Sequence, residues 1–295
     1  MKATARYRLG LLLLTVAAVA WSTSGFFTRL IPLDGGTMLV WRGLFGGLGI
    51  LAFIALREGG GTLGSFRKIG WPGLLFALIS TLGMMCFIAS LRFTTVAHVA
   101  VIYATVPFLA AGLAWLVMRE RPSVSATAAA CGALLGVIVM EGLSSEGNPI
   151  GDLLALAMTL AMASMMVIAR HYQGIAVMQA ACIACFLSAV ASLPLADHLL
   201  VAGPDLLNLA LFGLVNSALG TALFAVGSRL LPAIETGLIS SLDAPLAPIW
   251  VWLVFGEMPT SATLVGGLIV FIAVFAHVLA GASGRAIASR RRASA

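Results

Sequence analysis

The sequence predicts an all-α polytopic membrane protein: ten transmembrane helices forming two inverted five-helix repeats, with both termini on the cytoplasmic side. Three observations predict it. First, 61% of the 295 residues are hydrophobic and only 9% are charged, with a mean hydropathy of +1.07. That leaves too little charge to cover a soluble globule of 30.5 kDa. Second, the apolar runs are roughly 18 to 23 residues long, matching the ~20 that cross a bilayer as helix, and the alternation over about ten residues expected of barrel strands is missing. Third, the chain repeats itself.

The repeat is clearest from Arg92 to Pro122, RFTTVAHVAVIYATVPFLAAGLAWLVMRERP. Sliding by 137 residues without a gap gives Arg229 to Pro259, RLLPAIETGLISSLDAPLAPIWVWLVFGEMP, with nine of 31 positions identical. Paired Arg92/Arg229, Trp115/Trp252, Glu120/Glu257 and Pro122/Pro259 in one register go beyond what two apolar helices share by composition. The first and sixth segments agree at an offset of 141, in Gly10/Gly151 and Arg29/Arg170. The repeats are expected at 1–148 and 149–295.

Charged and Pro/Gly clusters divide the chain into ten apolar segments, at about 9–31, 36–56, 71–91, 95–118, 123–141, 150–170, 176–194, 206–228, 233–255 and 260–281. The first follows Lys2, Arg6 and Arg8 and imitates a secretory signal, with Ala18 and Ala20 in A-x-A spacing. Its apolar run continues to Ile31, long enough to span, so it is read as a retained helix. Segments two and three are separated by the polar stretch REGGGTLGSFRKIG, and segments five and six by GLSSEGNP, whose Glu146 is expected outside. A cytoplasmic N-terminus puts fourteen of the 17 Lys and Arg on the inner side and only Arg29 and Arg92 on the outer, while Arg42 lies within a segment. Each repeat holds an odd number of segments, so the second copy crosses the membrane in the opposite sense. Such inverted repeats are the usual architecture of secondary transporters, with a central site near the midplane.

Composition also limits function. The pI of about 9.7 comes from basic residues in turns and at the ends, without a basic face for nucleic acid. With only Lys2 and Lys68 in the chain a Walker lysine is impossible, and HExxH and GxSxG are missing, so neither ATP hydrolysis nor a recognisable enzyme activity is expected. Cys182 and Cys185 form a CxxC on an apolar helix, where small-residue packing is the better reading than redox or metal chemistry. Neither a cofactor nor a metal is expected.

These residues resemble the EamA-type proteins of the drug/metabolite transporter superfamily. The features are LRF-T-x-A before segment four, AWL-x-x-x-E-x-P between segments four and five, and their counterparts SRLLPA and WVWLVFGEMP. Trp21 before small residues and Trp41-Arg42 in segment two fit as well, while the family's L-E-P pattern reads Leu242-Asp243-Ala244-Pro245 here. The resemblance implies a ten-helix carrier of the bacterial inner membrane. Segments one to four and six to nine would surround a central cavity, with five and ten at the side. It further implies export of small neutral or aromatic amino acids, or related metabolites, by alternating access, active or facilitative. A multidrug or amphipathic-amine exporter is the alternative within the class, and a non-transporting scaffold or receptor the alternative outside it. The expected partners are a small-molecule substrate and the bilayer, with protons as a candidate coupling ion. A facilitator, a proton antiporter and a substrate exchanger all fit the sequence.

Asp243, about ten residues into segment nine, is near the bilayer centre, where a carboxyl costs at least ~2.5 kcal/mol. It is either a ligand or proton site, or a helix-capping acid beside Pro245. Arg42 attracts a substrate carboxylate or else snorkels to the interface. Trp21, Met84, Met85, Phe87 and Tyr103 are candidate cavity lining, with helix packing as the simpler role. Asn216, Ser240 and Ser241 are buried polar groups able to bind substrate or bridge helices. His98 and Glu235 stand at equivalent, shallow positions in the two copies and are candidates for gating or coupling, as is Asp243. Pro107, Pro245 and Pro248 are expected to kink segments four and nine around a cavity. The GxxxG pairs Gly43/Gly47 and Gly132/Gly136 are read as close helix packing.

Overall fold

The computed structural model describes residues 3–142, 148–201 and 203–293; Lys2 and Glu146 lie outside the described residues. Every element among those residues is helical. Ten helices are long and apolar enough to cross a membrane: α1 (Ala5–Leu30), α2 (Gly35–Phe66), α3 (Gly70–Phe93), α4 (His98–Met118), α5 (Val124–Glu141), α6 (Pro149–His171), α7 (Val177–Leu195), α8 (Gly203–Gly227), α9 (Ala233–Phe255) and α10 (Ser261–Ala280). Large apolar side chains such as Leu12, Leu56, Leu82 and Leu268 stay exposed around the bundle, as lipid-facing residues must.

Two expectations need refinement. The polar stretch after segment two is not a plain loop: a 3₁₀ turn at Gly59–Gly61 leads into a short helix at Thr62–Phe66. The last helix runs past the apolar segment to Ala293. In both cases hydropathy marks the membrane boundary, whereas the backbone hydrogen-bond ladder continues into the charged flank.

The repeat is visible in the backbone. Helix α4 consists of two pieces, Val96–Tyr103 and Val106–Met118, and α9 of two pieces, Ala233–Ser240 and Asp243–Phe255. All four bounds differ by the same 137 residues. Pro107 and Pro245 explain the breaks, since a proline in the first turn of the second piece contributes no N–H to the preceding turn. Pro248 lies within an unbroken helical stretch.

The chain does not fold as two separate halves. Helices α3 and α4 pack against α6, and α8 and α9 pack against α1, so each group draws on both repeats. Two ion pairs stitch these groups at equivalent positions. Arg29 at the end of α1 pairs with Glu257 after α9, and Arg170 at the end of α6 holds Glu120 after α4 through Nε at 2.8 Å and Nη2 at 2.9 Å. The two pairs occupy opposite faces of the bundle. We call the face holding both termini and the Arg170–Glu120 pair the terminal face, and the other the opposite face.

Between apolar helices in lipid, association depends on packing rather than on the hydrophobic effect, so small residues mark the contacts. On α2, a Cβ at Gly43 would stand 2.7 Å from the Cys185 carbonyl oxygen, and one at Gly47 would stand 2.8 Å from the Phe186 ring. Cys182, buried nearby, donates its thiol to the Gly47 carbonyl at 3.4 Å. Helices α5 and α10 cross backbone to backbone: a Cβ at Gly136 would be 2.7 Å from the Gly266 oxygen and 2.9 Å from the Val270 nitrogen. Gly136→Val should therefore cost about 3 kcal/mol, at the upper end for overpacking, because fixed backbone atoms cannot yield. Denaturation of the purified variant in detergent checks this.

At the opposite face Asp34 caps α2, accepting from the Thr37 N–H at 2.8 Å. Desolvation pushes its carboxyl up, but hydrogen bonds from Thr37, Asp197 and Gly36 outweigh that and set its pKa below the usual value. The cap therefore holds at neutral pH and is lost as pH falls through the lowered pKa.

Candidate functional site: a buried arginine beside two broken helices

Four of the helices are irregular. Helix α1 is interrupted at Thr23, between pieces Ala3–Ser22 and Ser24–Leu30. The reason is local: the hydroxyls of Ser22, Thr23 and Ser24 donate to the carbonyls of Val19, Ala20 and Trp21, competing with the helix ladder. Helix α8 widens to a π-helix over Gly213–Gly220. The breaks of α4 and α9 complete the set.

Asn216, 4% exposed on the π-helical turn, ties α8 to the break in α1. Its Nδ2 donates to Ser24 Oγ at 2.6 Å and to the carbonyls of Trp21 at 3.2 Å and Ala20 at 3.3 Å. Its Oδ1 accepts from Arg42 Nη1 at 3.4 Å. Trp250 on α9 donates its indole N–H to Ser22 Oγ at 2.8 Å, bringing a third helix to the same break.

Arg42 lies two turns into α2, about 10 Å along the helix at ~1.5 Å per residue, and is 9% exposed. It does not snorkel. Nη2 points to the Met84 sulfur at 3.1 Å, and the guanidinium sits 5.4 Å from the centre of the Phe212 ring. Its Nε has no hydrogen-bond partner, and among the described residues it forms no ion pair with a carboxylate. A thioether, an amide and a ring face are weak compensation for a buried cation. The site is therefore charged, positive and short of an anion.

Asp243 opens the second piece of α9 and Tyr103 closes the first piece of α4, so each stands at the edge of a break. They lie within electrostatic reach of one another. Asp243 is half-buried at the first residue of its helical piece. No hydrogen bond or ion pair among the described residues joins Asp243 to Arg42.

The other expected residues are spread over several places. Trp21 packs on Phe224, 4.9 Å between ring centres, and against Gly220, placing it with Asn216 and Arg42. Met84 joins them through its sulfur, whereas Met85 is simply half-buried and Phe87 packs with Val99, Ile102, Ala155 and Met158. Ser240 and Ser241 are buried, with hydroxyls bonded to the carbonyls of Thr236 and Leu238 in their own helix. Their hydroxyl hydrogens are thus used within the helix, leaving the oxygens as acceptors. His98 and Glu235 lie away from this centre: His98 Nδ1 is 3.1 Å from Asp152 at the opposite face, and Glu235 accepts from Tyr7 at 2.6 Å at the terminal face.

The bundle is closed at one end. The pieces Val106–Met118 of α4 and Ala233–Ser240 of α9 pack along each other toward the terminal face, where a Cβ at Gly237 would stand 3.0 Å from Pro107 Cα. Their counterparts toward the opposite face, Val96–Tyr103 and Asp243–Phe255, make no comparable contact. Arg229 reinforces the closed end: its Nη1 donates to the Ile175 carbonyl at 3.5 Å, and Gln173 Nε2 donates to the Arg229 carbonyl at 3.1 Å. Burial, with Arg6 nearby, lowers the Arg229 pKa from its usual value.

Sequence reasoning missed Ser24, Phe212 and Trp250 at the centre and Tyr7, Asp152 and His277 at the ends. The run of three hydroxyl residues at 22–24 was the available signal for the break in α1.

Known proteins agree with this architecture. Among solved structures, one titled only "Crystal structure of protein" superposes with a TM-score of 0.77 over 90% of this chain and 94% of that one, at 17% identity, a likeness of fold. No curated protein matches the sequence. The model of the EamA-like transporter family matches twice, over residues 8–141 and 149–279. A multi-pass helical bundle with this double match is a membrane transporter of the drug/metabolite type, and the chain belongs to the EamA-like transporter family.

Proposed function

We propose that this protein exports small neutral or aromatic amino acids, or closely related carboxylate-bearing metabolites, across a bacterial inner membrane by alternating access. The observation carrying the reading is Arg42, a buried guanidinium with an unbonded Nε and no paired carboxylate among the described residues. A substrate carboxylate supplies the missing anion. Amphipathic amines would leave that cation uncompensated, which is why the carboxylate reading is preferred to the amine one. Tyr103 and Asp243 at the helix breaks are assigned to the amino end of the substrate, and Trp21 and Met84 to its apolar part. The halves are taken as 1–148 and 149–295.

The excess of Lys and Arg at the terminal face supports reading that face as cytoplasmic. The conformation is then closed to the cytoplasm, where α4 and α9 meet at Pro107 and Gly237, and parted on the outer side. Counterflow of labelled leucine and phenylalanine into proteoliposomes tests the reading, and a wild-type protein that exchanges neither, across a broad amino-acid panel, overturns it. Asp243→Asn should slow amino-acid counterflow and alter its pH dependence. Wild-type rates with an unchanged pH profile would remove Asp243 from the site.

A further inference from the structure

One of the contacts that hold Arg42 can be changed by chemistry. Met84, in the middle of α3, takes a hydrogen bond on its sulfur from Arg42 Nη2 at 3.1 Å. Nη1 reaches the Asn216 amide oxygen at 3.4 Å, and Nε reaches nothing. A thioether is a weak acceptor, so the contact leaves most of the burial cost of the cation unrelieved. Of the 12 methionines, Met84 alone accepts a hydrogen bond on its sulfur among the described residues. Met38, Met140, Met158, Met165 and Met166 are buried in packing, and Met85, half-buried beside Met84, has no hydrogen bond to the guanidinium.

We infer that Met84 is an oxidation switch on the substrate centre, whose sulfoxide gives Arg42 an internal oxygen acceptor and so weakens its grip on carboxylate substrates. The inference rests on the reading of Arg42 as the substrate-carboxylate site. The oxidant is a peroxide. The sulfur lone pair attacks one oxygen of hydrogen peroxide, and an S–O bond forms as the O–O bond breaks. The displaced hydroxide takes up the proton of the transferred oxygen and leaves as water. Sulfur is thereby oxidised by two electrons and the peroxide reduced by two. Hydrogen peroxide is small and uncharged, Met84 is half-buried rather than sealed, and the α4 and α9 pieces are parted toward the opposite face.

Oxidation turns a flexible apolar side chain into a polar one. The rotatable bonds of methionine let the new oxygen turn toward the guanidinium beside it. Tethered there, the sulfoxide competes with substrate at a high effective concentration. A carboxylate keeps the advantage of its charge, so binding is weakened rather than abolished. The expected loss is about tenfold in affinity, the scale of one hydrogen bond to a charged group. Methionine sulfoxide reductases, one for each epimer, restore the thioether and with it the vacant cation.

The test compares wild type, Met84→Leu, Met85→Leu and Met84→Gln in proteoliposomes before and after hydrogen peroxide, with phenylalanine as probe and peptide mass spectrometry to read sulfoxide at Met84. Oxidised wild type and Met85→Leu are expected to need about tenfold more phenylalanine for half-maximal counterflow. Both should recover after treatment with the two reductases. Inhibition by phenethylamine, which has no carboxylate, should stay unchanged. Met84→Leu, a volume-conserving swap, should shift less than about twofold on peroxide treatment. Met84→Gln, whose amide oxygen imitates the sulfoxide, should behave without peroxide as oxidised wild type does. An equal loss in Met84→Leu places the damage elsewhere and overturns the switch, leaving the amino-acid reading standing. So does an unchanged half-saturation in wild type carrying sulfoxide at Met84, or a Met84 that stays a thioether while other methionines oxidise. Equal weakening of phenylalanine and phenethylamine makes Met84 a structural residue and likewise overturns it. If unoxidised wild type exchanges no amino acid, the amino-acid reading fails and the unfolding temperature of the solubilised protein decides. Relative to the shift in Met84→Leu, peroxide should move wild type upward, because the buried cation gains an oxygen partner, and Arg42→Ala downward, because the sulfoxide is buried without its donor. Any other order of the three overturns the switch.

Discussion

Arg42→Ala will raise the half-saturating concentration for a carboxylate substrate roughly 30-fold or more, because removing one partner of a buried, hydrogen-bonded charge pair costs about 2–5 kcal/mol and 1.4 kcal/mol is tenfold. The effect should exceed that of any apolar substitution in the lining. Unliganded, Arg42 is held only by Met84, Asn216 and the Phe212 ring, so its charge is left for substrate rather than consumed by the fold. Arg42→Lys should recover only part of the loss, since an ammonium lacks the planar fork that grips a carboxylate. Removing the buried charge relieves a burial cost, so the alanine protein should be at least as heat-stable as wild type, and lost transport will not reflect unfolding. Competition by the amine and by the ester of the same amino acid supplies the control. Neither carries a carboxylate, so each should inhibit wild type and Arg42→Ala with similar potency, whereas the parent amino acid should weaken sharply. Equal weakening of all three would mean that Arg42 supports the cavity without reading its contents.

Much of the fold can be read from the sequence because membrane helices announce themselves in hydropathy and because the chain contains its own comparison. The Arg, Trp, Glu and Pro shared at an offset of 137 predict matching ends, and the backbone repeats even the bounds of both broken helices at that offset. Divergence in the middle of the two copies, Tyr103 against Ser240 and Val106 against Asp243, coincides with the breaks. The partners were not legible. Arg29 and Arg170 stand out as repeat landmarks, as do Glu120 and Glu257, but an offset says which residues are equivalent, not that each arginine reaches the glutamate of the other copy. Nor does any local pattern in Gly213–Gly220 announce a π-helix, or that Asn216 there would reach Arg42 and the break in α1 at once. That no carboxylate among the described residues pairs with Arg42 is a property of the helices packed around it and has no sequence signature. Ser240 and Ser241 show a different limit: the sequence does not tell that each hydroxyl donates to a carbonyl one turn back in its own helix.

Cysteines at Asp34 and Arg92 will cross-link in the conformation open to the terminal face and not in the one described here. The basis is the contact at the closed end, where Arg229 reaches the Ile175 carbonyl just before α7 begins. Arg92 is the equivalent of Arg229 at the opposite face, exposed in the last helical turn of α3, and the segment equivalent to Ile175 is the one just before α2, at Leu33 and Asp34. If the two repeats exchange conformations during transport, the opposite face must close by the contact that now closes the terminal face. Arg92 would then meet the α1–α2 turn, and the Asp34 carboxylate there offers a charged partner in place of the bare carbonyl. The assay uses a protein with Cys86, Cys131, Cys182 and Cys185 replaced and a short thiol cross-linker. Of these, Cys182 and Cys185 are buried between α2 and α7 and are best replaced by alanine or serine, whose small size that contact requires. Substrate conditions that favour the form open to the terminal face should raise the cross-linked fraction from background to a major species and arrest counterflow, and reduction should restore it. A matched pair at Arg229 and Ile175 should behave oppositely, cross-linking in the form described here. Simultaneous cross-linking of both pairs under every condition would show that these turns are static clasps and that the repeats do not trade places.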